Sequence, residues 1–253
     1  MTGENVNGLD AGFDARWKHH PRVQATTEGM LWQKTGWTPD TLRGLKVLDY
    51  GCGCGRFARM AGDAGALVTG IDGSPHALAA ARENAPDATL VQGDLLAPTL
   101  EPGSFDAAFS IGVLHHTSDP PEAFAQMSRL VKPGGRIACW VYCQPTTDEY
   151  LPVLDMFHEI TRNVPADTLH DIFARYAPSI RDLYAKRWEP LMQIVRVSNS
   201  MDNDECISDT HDWHACRYRF WHDVPEVKWW FKRNGCVAEW VGEFPTSVSG
   251  RKL

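Results

Sequence analysis

Between residues 46 and 142, short apolar runs alternate with stretches of helical periodicity, and this alternation restricts the chain to few folds. KVLDY (46–50), ALVTGID (66–72), ATLVQGD (88–94), FDAAFSIG (105–112) and RIACWVY (136–142) read as strands. Apolar spacing turns helical through Phe57, Met60 and Ala61, and SPHALAAARENA (74–85) and DPPEAFAQMSRLV (119–131) predict two further helices. Ser74 is placed to cap the first of these, with Pro75 in its first turn, and KPGG (132–135) stops the second. Strands that alternate with helices at this spacing form parallel βαβ units. The expected fold is α/β, with a doubly wound, mostly parallel sheet.

The flanks are less regular. Phe13, Trp17, Val23, Met30, Leu31 and Trp37 recur in a loosely helical pattern. After the fifth strand, EYLPVLDMFHEITRNV and LHDIFARYAPSIRDLYAKRW are helical, and NSMDNDECISD (199–209) is a polar segment. PEVKWWFKRNG (225–235) is a helix ending at Gly235, and CVAEWVG and TSVSGRK are two strands that can pair antiparallel at one sheet edge. The expected division is an N-terminal helical cap segment (1–44), a ligand-binding core (45–142), a largely helical cap inserted after the fifth strand (143–222), and a helix and strand pair completing the core (223–253).

Hydrophobic residues make up 43% and charged residues 23%, ordinary for a chain with a real core. The net charge of −7 and the lack of a Lys/Arg run argue against nucleic acid as partner, which needs a basic face. No apolar run approaches the roughly 18 residues of a membrane span. MTGENVNGLDAGFDARW lacks the basic-then-apolar pattern of a signal peptide. Seven cysteines, an odd number without framework spacing, read as reduced thiols, so a cytoplasmic protein is expected.

The stretch VLDYGCGCGRFA (47–58) carries the chemistry. In a doubly wound sheet, ligands bind at the strand C-termini where the first βα turn meets the switch point. Asp49, Gly51, Gly53 and Gly55 occupy such a turn, where glycine lets a ligand approach bare backbone. Asp72 ends the next strand, 23 residues after Asp49, where an acid grips ribose hydroxyls. The ligand therefore carries a ribose. The dinucleotide pattern can still be forced on residues 53–58, so spacing alone leaves dinucleotide and methyl-donor enzymes open. Metal is disfavoured, because Cys52-x-Cys54 lacks the second ligand pair of a zinc site.

Five linked motifs resemble those of class I S-adenosylmethionine-dependent methyltransferases. Asp49-x-Gly51-x-Gly53-x-Gly55 resembles the first, IDGSP (71–75) the second, VQGDLL (91–96) the third, FSIGVLHHTSDP (109–120) the fourth and LVKPGGRI (130–137) the fifth. The resemblance spans roughly residues 45–142 and is strongest to small-molecule enzymes of the ubiquinone/menaquinone-biosynthesis type. It implies a Rossmann-like core ending in an antiparallel hairpin, with S-adenosylmethionine as cofactor and S-adenosylhomocysteine as product. It implies that Asp72 binds both ribose hydroxyls and Asp94 the adenine amino group, with Asp49, Gly51, Cys52, Gly53, Gly55, Gly73, Leu95 and Ile111 completing the cofactor site. The donor carries no phosphate, and the glycine loop contains no lysine. A small-molecule acceptor is expected, with methyl transfer to its oxygen or nitrogen by in-line displacement, in a monomer or homodimer.

His115 and His116 follow the fourth strand, where the transferred methyl group should lie, and are the candidate catalytic bases; the competing reading is packing. Cys206, His211, His214 and Cys216 have a spacing that fits no trusted metal pattern and read as part of a polar loop. Trp213 and Trp221 are candidates for an aromatic acceptor pocket or for core packing, and at least one of Trp229 and Trp230 belongs to the core. Two other functions compete. A nicotinamide-dependent oxidoreductase would need a second half-site that the sequence does not display. A non-catalytic adenosyl-ligand-binding module would keep the same acids without turnover.

Overall fold

In the computed structural model, the described residues are 11–21, 29–143, 151–184, 197–198, 200–244 and 246–253. Val23, residues 149–150 and 185–188 of the expected helices, and Asn199 lie outside them. The chain divides into two compact units, one of Met1–Leu9, Arg22–Gln144 and Tyr218–Leu253, the other of Asp10–Pro21 and Pro145–Arg217.

The first unit holds a seven-stranded sheet. Its strands are β1 (Lys46–Tyr50), β2 (Leu67–Asp72), β3 (Thr89–Gln92), β4 (Phe105–Ile111), β5 (Val131–Trp140), β6 (Cys236–Val241) and β7 (Ser247–Lys252), in the order β3-β2-β1-β4-β5-β7-β6. The first five are mutually parallel, and β7 runs antiparallel to both β5 and β6. The expected C-terminal pair is thus present, with β7 inserted between β5 and the edge strand β6. Strand order reverses between β1 and β4, which makes the C-terminal ends of those two strands the switch point.

Alternating side chains build a core on each face of this sheet. Val47 faces a cluster with Leu31, Phe57, Ala61 and Phe109, whereas Leu48 faces one with Phe124, Met127, Trp230 and Phe231. In chain order the helices are α1 (Ala11–His19), α2 (Met30–Thr35), α3 (Pro39–Leu42), α4 (Arg56–Asp63), α5 (Pro75–Asn84), α6 (Pro120–Leu130), α7 (Leu151–Thr161), α8 (Ala166–Tyr184), α9 (Asn203–Ala215) and α10 (Val224–Arg233). The Ser74 hydroxyl accepts from the Ala77 N–H at 3.0 Å, the expected cap on α5. Trp230 is fully buried while Trp229 is half exposed, so the core member of that pair is Trp230.

Two local readings differ from the sequence expectation. The KPGG stretch ends α6 but also lies inside β5, which opens at Val131 and passes an irregularity before pairing Ala107 with Arg136. Gly134 takes φ +77 within that irregularity, a left-handed kink that glycine allows. The segment expected as a polar loop forms α9, because the Asp202 carboxylate caps its first turn by accepting from Glu205 N–H at 2.8 Å.

The described residues of the second unit include the helices α1, α7, α8 and α9. Buried Arg16 of α1 ties to α9, pairing with Asp212 at 3.2 Å and donating to Ser208 Oγ at 3.0 Å. No described helix is long and apolar enough to cross a membrane.

Candidate active site

The register puts Asp49, Asp72, Ile111 and Trp140 near one edge of the sheet, at the C-terminal ends of β1, β2, β4 and β5. The chain leaves β1 through a turn held by β2: the Gly51 and Cys52 N–H groups both donate to the Ile71 carbonyl, at 2.8 and 3.0 Å. Gly51 has φ +85, and a Cβ there would collide with Val113, which follows β4 across the switch point. Glycine is thus required twice over, by backbone conformation and by space. At Gly55 (φ +82) a Cβ would press on Ala81 of α5 at 3.1 Å, so this glycine serves the close packing of α4 on α5.

Asp72 is set by the same turn. One carboxylate oxygen accepts from Gly53 N–H at 2.8 Å and the other from Ser74 N–H at 2.9 Å. Gly73, beside it, offers its carbonyl to Gln92 Nε2 at 3.2 Å. Asp94 turns back on its own loop, accepting from Leu96 N–H at 2.8 Å, and the Tyr50 hydroxyl donates to the Leu95 carbonyl. The β3 loop is thereby tied to the end of β1.

Asp49 is unusual. It is 2% exposed, and its Oδ2 has no hydrogen-bond partner among the described residues. Burial, reinforced by the charge of Asp72, pushes its carboxyl up to about 8. An orphaned buried acid beside a glycine cradle invites a cationic ligand, and S-adenosylmethionine has both an ammonium and a sulfonium. Together with an Asp72 carboxylate held rigid at the cradle rim, the residues present fit that cofactor.

The two cysteines serve as packing. Cys52 is 4% exposed and Cys54 2%. A Cβ on Gly70 would lie 2.9 Å from Cys52 Sγ, so the thiol fills the space above that glycine. Burial, then Asp72 and Asp49, raise its thiol well above the usual range, away from the thiolate a metal needs. Among the described residues no three His, Cys, Asp or Glu side chains converge as metal ligands; Cys206, His211 and His214 lie along α9 and Cys216 at its end.

Beyond β4, a 3₁₀ turn over Leu114–His116 buries both histidines. Their nitrogens differ. His115 Nδ1 accepts from Tyr142 N–H at 3.3 Å, so its proton sits on Nε2, which has no partner among the described residues. Burial, then His116, His222 and Lys34, hold it well below the ordinary histidine range, as a neutral ring. His116 Nδ1 lies 2.9 Å from the Tyr218 carbonyl, which can only accept, so in the neutral ring Nε2 carries the lone pair. Residues 218–222 hold this turn: Phe220 N–H donates to the His115 carbonyl at 3.0 Å and His222 N–H to the Tyr142 carbonyl at 2.9 Å. His115 stacks on Tyr142 at 3.9 Å, and Tyr142 stacks on Trp221 at 5.8 Å. Trp213 belongs instead to the helical unit. Sequence reasoning missed the Tyr218 carbonyl, which no residue-type signal could reveal. It also passed over Lys34, which the structure buries on the same face of α2 as Leu31 and Thr35.

A methyltransferase-domain family matches residues 48–139. A ubiquinone biosynthesis O-methyltransferase of Thiobacillus denitrificans is 41% identical over 107 residues, 40% of this chain and 44% of that protein. The chain thus spans less than half of that relative. A Pseudomonas aeruginosa ubiquinone biosynthesis O-methyltransferase is 30% identical over 179 residues, 64% of this chain and 76% of that one. Two solved structures share the fold. Magnesium protoporphyrin IX methyltransferase from Synechocystis, with bound S-adenosylhomocysteine, has a TM-score of 0.54 at 17% identity, covering 96% of this chain and 94% of that one. An S-adenosylmethionine-dependent methyltransferase from Mesorhizobium loti has a TM-score of 0.53 at 23% identity, covering 83% of this chain and 92% of that one. Glycine cradle, paired acids, strand order and relatives lead to one assignment: the chain belongs to the class I S-adenosylmethionine-dependent methyltransferases.

Proposed function

We propose that this protein transfers a methyl group from S-adenosylmethionine to an oxygen atom of a small-molecule acceptor. The observation that carries the reading is the cradle itself: the Gly51 turn, the orphaned Asp49 carboxylate and the doubly anchored Asp72, all at the switch point. The oxygen is favoured by relatives named as O-methyltransferases. When bound, S-adenosylmethionine supplies a methyl group on a cationic sulfur.

The chain's own residues do the rest. Asp72 takes the ribose hydroxyls, and Asp94 takes the adenine amino group. Asp49 answers the positive end of the donor from a site where water is excluded. His116 Nε2 receives the proton that the acceptor hydroxyl loses, and the Tyr218 carbonyl keeps the ring in the tautomer that can do so. His115 presents its Nε2–H as a donor. In-line placement of the acceptor oxygen supplies most of the rate.

Asp72→Ala tests the cofactor assignment. It is expected to weaken S-adenosylhomocysteine binding roughly 10- to 100-fold, since a charge-assisted hydrogen bond contributes about 1.5–3 kcal/mol. Isothermal calorimetry measures it. Unchanged affinity, or binding of NADH in its place, would sink the reading.

A further inference from the structure

Among the described residues, no carboxylate answers the buried amine of Lys34. It projects from α2, which lies over β4, β5 and β7. The side chain is 4% exposed. Its Nζ stands 3.0 Å from the centre of the Trp140 ring and 5.7 Å from that of Phe244, and it has no hydrogen bond or ion pair among the described residues. A desolvated cation–π contact returns less than taking an ammonium out of water costs. Burial, then the Arg56 charge, therefore pulls the amine down to about 7. An ammonium in such surroundings becomes stable once an anion joins it.

The neighbourhood tells which anion. Trp140 ends β5 and stands edge-on to His115 at 6.2 Å and to Tyr142 at 5.6 Å. This is the β4–β5 side of the switch point, whereas Asp49, Asp72 and Asp94 belong to the β1–β3 side. The His115 Nε2–H, a second donor without a partner among the described residues, belongs to a ring 6.2 Å from the Trp140 ring that Lys34 faces.

We propose that Lys34 anchors an anionic oxygen of the acceptor, a carboxylate or an ionised phenol or enol, beside the Trp140 ring. The proposal rests on the methyltransferase reading and narrows its acceptors to organic acids in this sense. Neutral alcohols and amines would leave the buried amine unanswered.

The test uses the full chain saturated with S-adenosylhomocysteine and two probes of the same shape, benzoate and its neutral counterpart benzamide. Calorimetry is expected to show benzoate binding at least about 10-fold more tightly, the worth of one charge-assisted hydrogen bond. Lys34→Met should abolish that preference and Lys34→Arg retain part of it, with S-adenosylhomocysteine affinity changed less than about 3-fold in both. Benzoate no better than benzamide in the unmodified protein, including no binding of either, overturns the proposal without needing any variant to fold. So does a preference that survives Lys34→Met. A 10-fold or greater loss of S-adenosylhomocysteine with unchanged 5′-methylthioadenosine binding would move the lysine to the donor's carboxylate, which also overturns it. Failure of the unmodified protein to bind S-adenosylhomocysteine would instead count against the methyltransferase reading.

Discussion

Asp49→Asn is expected to make the ligand-free protein more stable at pH 8 and to weaken its hold on S-adenosylhomocysteine by roughly 10- to 100-fold. Both effects have one cause. The folded chain buries the Asp49 carboxyl, leaves Oδ2 unpaired, and raises its pKa from 3.8 to about 8. A raised carboxyl binds more protons in the folded than in the unfolded chain, between about pH 4 and 8. Stability is therefore lost as pH climbs through that window, when the buried acid must ionise. Asparagine has the same shape and no charge, so its variant escapes the loss. Each kcal/mol moves the melting temperature of a chain this size by about 2–4 °C. The unmodified protein should fall by several degrees more than Asp49→Asn between pH 5 and pH 8 in thermal scans without ligand. Saturating S-adenosylhomocysteine should reverse the order at pH 8, because its ammonium supplies the missing partner. Parallel pH profiles for the two proteins would show that Asp49 carries no such stored cost.

Part of that coupling is legible in the sequence. Asp49 reads directly as the acid of the glycine turn, because a polar residue inside an apolar strand demands a ligand or a hydrogen bond. Strands and helices of the core are legible for the same kind of reason: continuous apolar runs and period-3.6 patterns record burial, and β1 and β4 are buried along nearly their whole length. The α9 segment is not, because Asn203–Ala215 is rich in polar and acidic residues whose helix depends on the Asp202 cap and on burial of Cys206, Thr210 and His211. Lys34 escapes notice because a lysine in a sequence is assumed to reach water. Only the buried face shared with Leu31 and Thr35, together with the Trp140 ring beside it, shows otherwise. Both histidines are legible as candidate bases, but which of them can take a proton is not, since that turns on which carbonyl or N–H meets each Nδ1.

The histidine pair gives the other large effect. We expect His116→Gln to lower kcat by about 10²–10⁴-fold, the usual worth of a positioned base, while leaving S-adenosylhomocysteine affinity unchanged. Glutamine can still donate its amide N–H to the Tyr218 carbonyl, so the turn survives, but it has no basic nitrogen. The deficit should shrink at high pH, where an acceptor hydroxyl ionises without help. His115→Gln should behave differently. Its Nδ1 is occupied by Tyr142 N–H and its Nε2–H donates, so the lost function is orientation of the acceptor, seen mainly as a raised KM and without the recovery at high pH. Profiles of kcat and KM against pH for both variants separate the roles. Equal, small and pH-independent losses would remove both histidines from proton transfer. A larger kcat loss in His115→Gln than in His116→Gln would reverse the assignment, and with it the claim that the backbone carbonyl of Tyr218 selects the catalytic tautomer.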